Sequence, residues 1–259
     1  AIFAIGAGIT LAVSVLTWTG SPIFIGLFAL YVPVQLALDL KVKRNSGYIL
    51  ASSCIMYLSA LVFVIPFVAI MVREGYELSA AFVSWFHVLY ILSMLGFTLM
   101  CWVVAHFIGN RGQWWHYLLA ILVLIAVVVI GTRSMMPTFF SNIISGIGYL
   151  LGFDETLSTI NEALPLFWDQ YGDFTLSSVW GGFGLFFLSA FASLLLILRK
   201  GFPSKNPTIA FFVIWSVIVF VLALSQRRFM YLLSINVAVL SGYLDRKSTR
   251  LNSSHESPS

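Results

Sequence analysis

Charge is scarce in this sequence. Only 9% of its 259 residues are Asp, Glu, Lys or Arg, where soluble domains carry about a quarter. That scarcity excludes an ordinary soluble domain. A core of this size could not hide the 60% of residues that are hydrophobic, whereas lipid accepts apolar side chains on every face of a helix. Cysteine is nearly absent as well. Cys54 and Cys101 both fall inside apolar runs, which argues against a structural disulfide. The net charge is only +4 and the basic residues sit in short loops, so no basic stripe exists to grip nucleic acid. There is no glycine-rich nucleotide loop, no zinc-ligand spacing and no Ser-His-Asp arrangement. No signal peptide is visible, and the sequence starts within an apolar run at Ala1.

What is present is a series of long apolar runs. Eight candidate spans are predicted, over 2–18, 22–38, 48–72, 80–108, 115–130, 179–198, 208–224 and 229–244. The fold class expected is therefore all-α: a polytopic bundle of transmembrane helices with one long external loop. Pro33 and Pro66 fall inside spans, where neighbouring helices can tolerate them. The membrane domain is expected over 1–244. The stretch 245–259 changes abruptly in composition, and its DRKSTRLNSSH resembles the in-frame translation of a sequencing adapter. It is expected to be an artefact, with the natural protein continuing beyond Leu244 and beginning before Ala1.

The loops suggest an orientation. Lys41, Lys43, Arg44, Arg111, Arg199, Lys200 and Lys205 alternate to one side, which the positive-inside rule makes cytoplasmic. Glu74, Glu77, Asp154, Glu155, Glu162, Asp169 and Asp173 fall on the other side. That external side holds the long segment 131–178. Within it Phe139, Phe140, Ile143, Ile144, Ile147, Leu150 and Leu151 recur at helical spacing opposite Ser141, Asn142 and Ser145. Pro137 suits a first turn, so an amphipathic helix at the membrane surface is predicted.

Gln226-Arg227-Arg228 also falls outside, where two adjacent arginines oppose the positive-inside tendency. An anionic ligand would account for them; so would lipid headgroups or snorkelling at a helix end. Other polar residues have plainer readings. His87 and Asn236 suit interhelical packing and hydrogen bonding. Gly181, Gly182 and Gly184 suit close helix packing. Trp114, Trp115 and Tyr117 read as an aromatic belt. External carboxylates and external arginines remain. Carboxylates are hard oxygen ligands for a divalent cation, and arginine is shaped for bidentate contact with phosphate. Together they would suit a diphosphate leaving group.

Thr159-Ile160-Asn161-Glu162 matches the T-I-x-E motif in the large external loop of archaeal and bacterial oligosaccharyltransferases. An apolar span, a basic loop and another span follow, as in that family. Then Gln226-Arg227-Arg228-Phe229-Met230-Tyr231 resembles its RF-x-Y segment, and Val237–Tyr243 the apolar helix after it. Leu16-Thr17-Trp18-Thr19-Gly20 is also similar to the family. The resemblance implies transfer of an oligosaccharide from a lipid-linked phosphate or diphosphate to asparagine in an acceptor polypeptide bearing an Asn-x-Ser/Thr sequon. It implies that Glu162 contacts a divalent cation, Mn2+ or Mg2+, and the acceptor asparagine. It implies that Thr159 and Ile160 line the acceptor path, and that Arg228 contacts the lipid-linked phosphate. Arg227 is a substrate-binding candidate by its charge and place, without a firm counterpart in the family.

Other parts of the family pattern are expected outside this stretch: acidic metal ligands before Ala1, and the W-W-D-Y-G motif beyond Leu244. The chain alone is accordingly expected to be inactive. No arginine occurs in 163–178, which favours an archaeal-type acceptor and an archaeal cell membrane with the active face non-cytoplasmic. Two alternatives stand beside this reading. One is another glycosyltransferase using lipid-phosphate sugars, which would not need the 159–162 motif for a peptide. The other is a transporter or flippase, which would be expected to show inverted repeats and polar groups at mid-membrane.

Overall fold

The computed structural model describes residues 1–18, 20–80, 82–109, 113–153, 160–199 and 206–255, with side chains described as far as Arg246. Helix dominates. The helices are α1 (Ile2–Thr17), α2 (Pro22–Lys41), α3 (Gly47–Met71), α4 (Trp85–Gly109), α5 (Trp114–Met135), α6 (Pro137–Leu150), α7 (Ser177–Phe183), α8 (Leu185–Arg199), α9 (Pro207–Ser225) and α10 (Met230–His255). Among the described residues there are also two single 3-10 turns, Asn161–Ala163 and Arg227–Phe229. Among the described residues the sole sheet-like pairing is a bridge between Trp168 and Phe174. The polypeptide divides into two compact units, 1–146 and 147–259.

Local chemistry explains several boundaries. Pro22 and Pro207 open α2 and α9, where a missing N–H costs nothing. Asn206 caps α9, its Oδ1 accepting from the backbone N–H of Thr208 at 3.0 Å and of Ile209 at 3.4 Å. Gln113 and His116 form a reciprocal cap on α5. α2 and α3 run on through Pro33 and Pro66.

Among the described residues five helices, α2, α3, α4, α5 and α9, are long and apolar enough to cross a membrane, and the bent pair α7–α8 makes six if it counts as one span. The chain is an integral membrane protein by this composition, but the eight separate spans expected from the sequence are not all found among the described residues. α1 has only 16 residues. The apolar start of α10 runs on as one helix into the polar 245–255. The span predicted over 179–198 is two helices that meet at 89°. The bend sits at Gly184, whose φ of 54° and ψ of −134° suit a residue without a Cβ. Of the glycine cluster, only Gly182 is a packing glycine: a Cβ there would run into the Met230 side chain, while Gly181 faces open space. α5 also runs five residues past its predicted end, taking 131–135 out of the external segment.

In the first unit α1 packs on α3, α2 and α3 on α4, and α5 against α2 and α4. Close approach of α1 rests on Gly8, where a Cβ would lie 2.7 Å from Ser59 Cβ. Tyr117 is fully buried in the α2–α4–α5 core, so it is a core residue and not part of an aromatic belt; Trp114 and Trp115 do lie exposed. Cys54 and Cys101 are free thiols, as expected. His87 is buried with its ring edge-on to Phe86. A buried acid escaped the sequence reading: Asp39 accepts from Gln35 Nε2 at 2.8 Å and lies 3.7 Å from Arg44 Nη1. α6 matches the predicted amphipathic helix and begins at Pro137.

In the second unit α8 and α9 pack on α10. Asn236 does bond between helices, accepting from Ser216 Oγ at 3.3 Å in a buried setting, and the Ser189 and Ser241 hydroxyls meet at 2.8 Å.

Candidate functional site

The second unit holds most of the residues singled out from the sequence. Thr159 lies outside the described residues, as do Asp154 and Glu155. Ile160 is half exposed, and Asn161, Glu162 and Ala163 form a 3-10 turn directly after it. Ala163 and Leu166 are buried and hold this segment down by their apolar side chains. Backbone bonds fix it further. Leu166 N–H donates to Leu224 O at 3.1 Å, and Arg227 N–H donates to Leu164 O at 2.9 Å. The motif segment is thus laced to the turn between α9 and α10.

That turn presents three polar side chains in succession. Gln226 is fully buried, and its Nε2 donates to the Tyr149 carbonyl. Arg227 sends Nη1 to Asn161 Oδ1 at 3.0 Å and Nη2 to the Trp168 carbonyl. Arg228 turns to Tyr149: Nη1 donates to the phenolic oxygen at 2.6 Å and Nη2 to the carbonyl at 3.3 Å. Its guanidinium carbon lies 4.2 Å from the centre of the Tyr149 ring, within cation–π range. Arginine carries five N–H donors, so these two bonds leave the Arg228 guanidinium with capacity for a further anionic partner.

Glu162 is exposed, and its carboxylate makes no hydrogen bond or ion pair with any described residue. The structure therefore brings the two sequence stretches together, 66 positions apart, through Asn161 and Arg227. It does not join the Glu162 and Arg228 side chains to each other.

A second acidic side chain of the 160–173 stretch, Asp169, does have partners. Asp169 is used by the loop itself: its Oδ1 accepts the N–H of Tyr171 at 2.8 Å and of Asp173 at 2.9 Å, around Gly172 at φ 83°. Among the described residues no three His, Cys, Asp or Glu side chains gather as a metal site would require. Glu162 alone can offer one or two of the oxygens a hard cation needs. The described residues thus do not by themselves fit a metal ion.

Four residues at this site were not marked by the sequence: Tyr149, Trp168, Gln226 in its buried role, and Asn161 as a partner. Asn161 occupies the unspecified position of the T-I-x-E motif, and Tyr149 sits at the end of α6 outside its apolar stripe.

The archaeal oligosaccharyltransferase AglB from Archaeoglobus fulgidus, solved with an inhibitory peptide and a dolichol-phosphate, superposes at a TM-score of 0.82 and 19% identity, over 100% of this chain. The chain has the fold of part of an archaeal oligosaccharyltransferase. It spans 31% of the AglB chain. The apo A. fulgidus oligosaccharyltransferase matches 94% of this chain at 23% identity and a TM-score of 0.76, covering 28% of that protein. The same enzyme tethered to an acceptor peptide containing an NVT sequon matches 94% at 22% identity and 0.71, covering 27%. No protein-family model matches the chain, and no curated protein matches it by sequence. In this chain the broken α7–α8 span and the laced 160–168 segment both belong to the second unit.

Proposed function

We propose that this chain is membrane-embedded machinery of an oligosaccharyltransferase of archaeal type, acting on the non-cytoplasmic face. The donor is a lipid-linked oligosaccharide phosphate or diphosphate, and the acceptor is an Asn-x-Ser/Thr sequon. In the reaction the acceptor amide nitrogen forms a bond to the anomeric carbon of the sugar. The bond from that carbon to the phosphate oxygen breaks, the lipid phosphate leaves with the electron pair, and the amide loses a proton to solvent.

One observation carries this reading: the 160–168 segment containing the motif glutamate is bound to the turn that bears the two external arginines. Arg228, steadied by Tyr149, contacts the donor phosphate, and its charge matches what the leaving group develops. Glu162, exposed and without an ion pair among the described residues, contacts the acceptor and supplies one oxygen toward a divalent cation, Mn2+ or Mg2+, whose other ligands are not among the described residues. Ile160 and Thr159 border the acceptor path. The dolichol-phosphate and the sequon peptide in the A. fulgidus structures support the two substrate classes.

Incubating the intact protein, in its native membrane, with dolichol-linked oligosaccharide and an Asn-Val-Thr peptide tests the proposal. The expected product is a glycopeptide modified at Asn, absent when that Asn is replaced by Gln. Movement of the lipid-linked sugar across the membrane without any glycopeptide would favour a flippase instead.

A further inference from the structure

We infer that Arg227 is a positioning residue: a clasp that sets the backbone bearing Glu162 for the acceptor, without touching donor phosphate. The inference rests on the functional reading above and assigns a division of labour between two adjacent arginines that their sequence does not distinguish.

The Arg227 guanidinium spans the motif segment. Nη1 holds Asn161, one residue before Glu162, and Nη2 holds the Trp168 carbonyl beyond it. Between these points, Leu164 O accepts from the Arg227 N–H and Leu166 N–H donates to Leu224 O in the last turn of α9. Glu162 thus sits on a short loop pinned on both sides, while its own carboxylate stays exposed. The choice of partners matters. Had Arg227 paired with Glu162 directly, the ion pair would have neutralised the carboxylate that a ligand must meet. Its partners are instead a neutral amide oxygen and a backbone carbonyl, so the charge at Glu162 remains available. A planar fork reaches two partners on separate nitrogens, which a single ammonium cannot do. Arg228 meanwhile has no bond to the 160–168 segment; its two hydrogen bonds both end on Tyr149.

The test is a double-mutant cycle in the intact protein, Arg227→Ala against Asn161→Ala, with three readouts. Amide hydrogen exchange over 160–168 reports the clasp, affinity for a fluorescein-labelled Asn-Val-Thr peptide reports the acceptor side, and affinity for dolichyl phosphate reports the donor side. Arg227→Ala is expected to speed exchange in 160–168 and weaken peptide binding about tenfold or more, the scale of losing a charge-assisted hydrogen bond, with dolichyl phosphate affinity unchanged within twofold. Asn161→Ala should reproduce much of this, and the double variant should be less than additive because the two side chains share one bond. Arg227→Lys should recover little peptide affinity. Loss of dolichyl phosphate affinity in Arg227→Ala would make Arg227 an anion ligand and overturn the inference. So would unchanged exchange over 160–168, or full recovery by Lys. Because none of these readouts needs turnover, a protein that transfers no glycan would refute the proposed reaction while the clasp is still judged on its own.

Discussion

Arg227 and Arg228 leave the same turn toward different partners, one to Asn161 and Trp168, the other to Tyr149. The Tyr149 contact has its own consequence. Its ring stacks on the guanidinium at 4.2 Å and its hydroxyl accepts at 2.6 Å. Tyr149→Phe keeps the ring and loses the acceptor. It is expected to weaken dolichyl phosphate binding a few-fold, and Tyr149→Ala more, since a cation–π contact of about 0.5–2 kcal/mol goes as well. Equilibrium binding with each variant checks this. At this scale the sequence pointed to Glu162 and Arg228 through a family motif. It did not point to their holders, because Asn161–Arg227 and Tyr149–Arg228 link positions 66 and 79 apart, and only the folded chain brings them together. Asp169 looked like its acidic neighbours and turned out to serve its own loop.

Helices were the most legible level, since long apolar runs can satisfy their backbone only as helix in lipid. α2, α3, α4 and α9 lie close to their predicted runs. The bend between α7 and α8 was hidden because apolarity continues straight through it; the conformational demand is made at Gly184 alone. Gly184→Val should cost on the order of 1–3 kcal/mol through backbone strain, seen as a lowered thermal midpoint of the detergent-solubilised protein. Two glycines of α1 separate packing from composition. Gly8→Leu must push α1 away from α3, at about 1–3 kcal/mol for overpacking, whereas a Cβ added at Gly6 meets nothing within 4 Å. Thermal unfolding should therefore fall for Gly8→Leu and hold for Gly6→Leu. At α9, Asn206→Ala removes a cap that accepts two N–H groups, a loss of about 1 kcal/mol.

For the whole molecule, two features agree with chemistry at a membrane surface. Five of the described helices, or six counting α7–α8 as one span, are long and apolar enough to cross a membrane, and the polar residues of the candidate site lie at the end of α6 and in the connections before α7 and α10. Away from that site, Asp39 is a buried acid near the end of α2 that accepts from Gln35 and lies 3.7 Å from Arg44. Overall class was readable from composition alone. The number of spans was not, because a short apolar helix such as α1 and a broken one such as α7–α8 present the same hydropathy as a full crossing.

The most direct measurement is steady-state transfer kinetics of the intact protein, comparing Glu162→Gln and Arg228→Ala with the parent while donor and acceptor are varied in turn. Each substitution should lower turnover by about 10²–10³, the range for losing one contact made to the reacting centre, with helical content unchanged. Glu162→Gln should act on acceptor use. Arg228→Ala should act on the lipid-linked donor, and Arg228→Lys should recover only part because a point charge lacks the bidentate fork. Near-parental turnover for both substitutions in folded protein would contradict the assignment of these two residues to the site of glycan transfer.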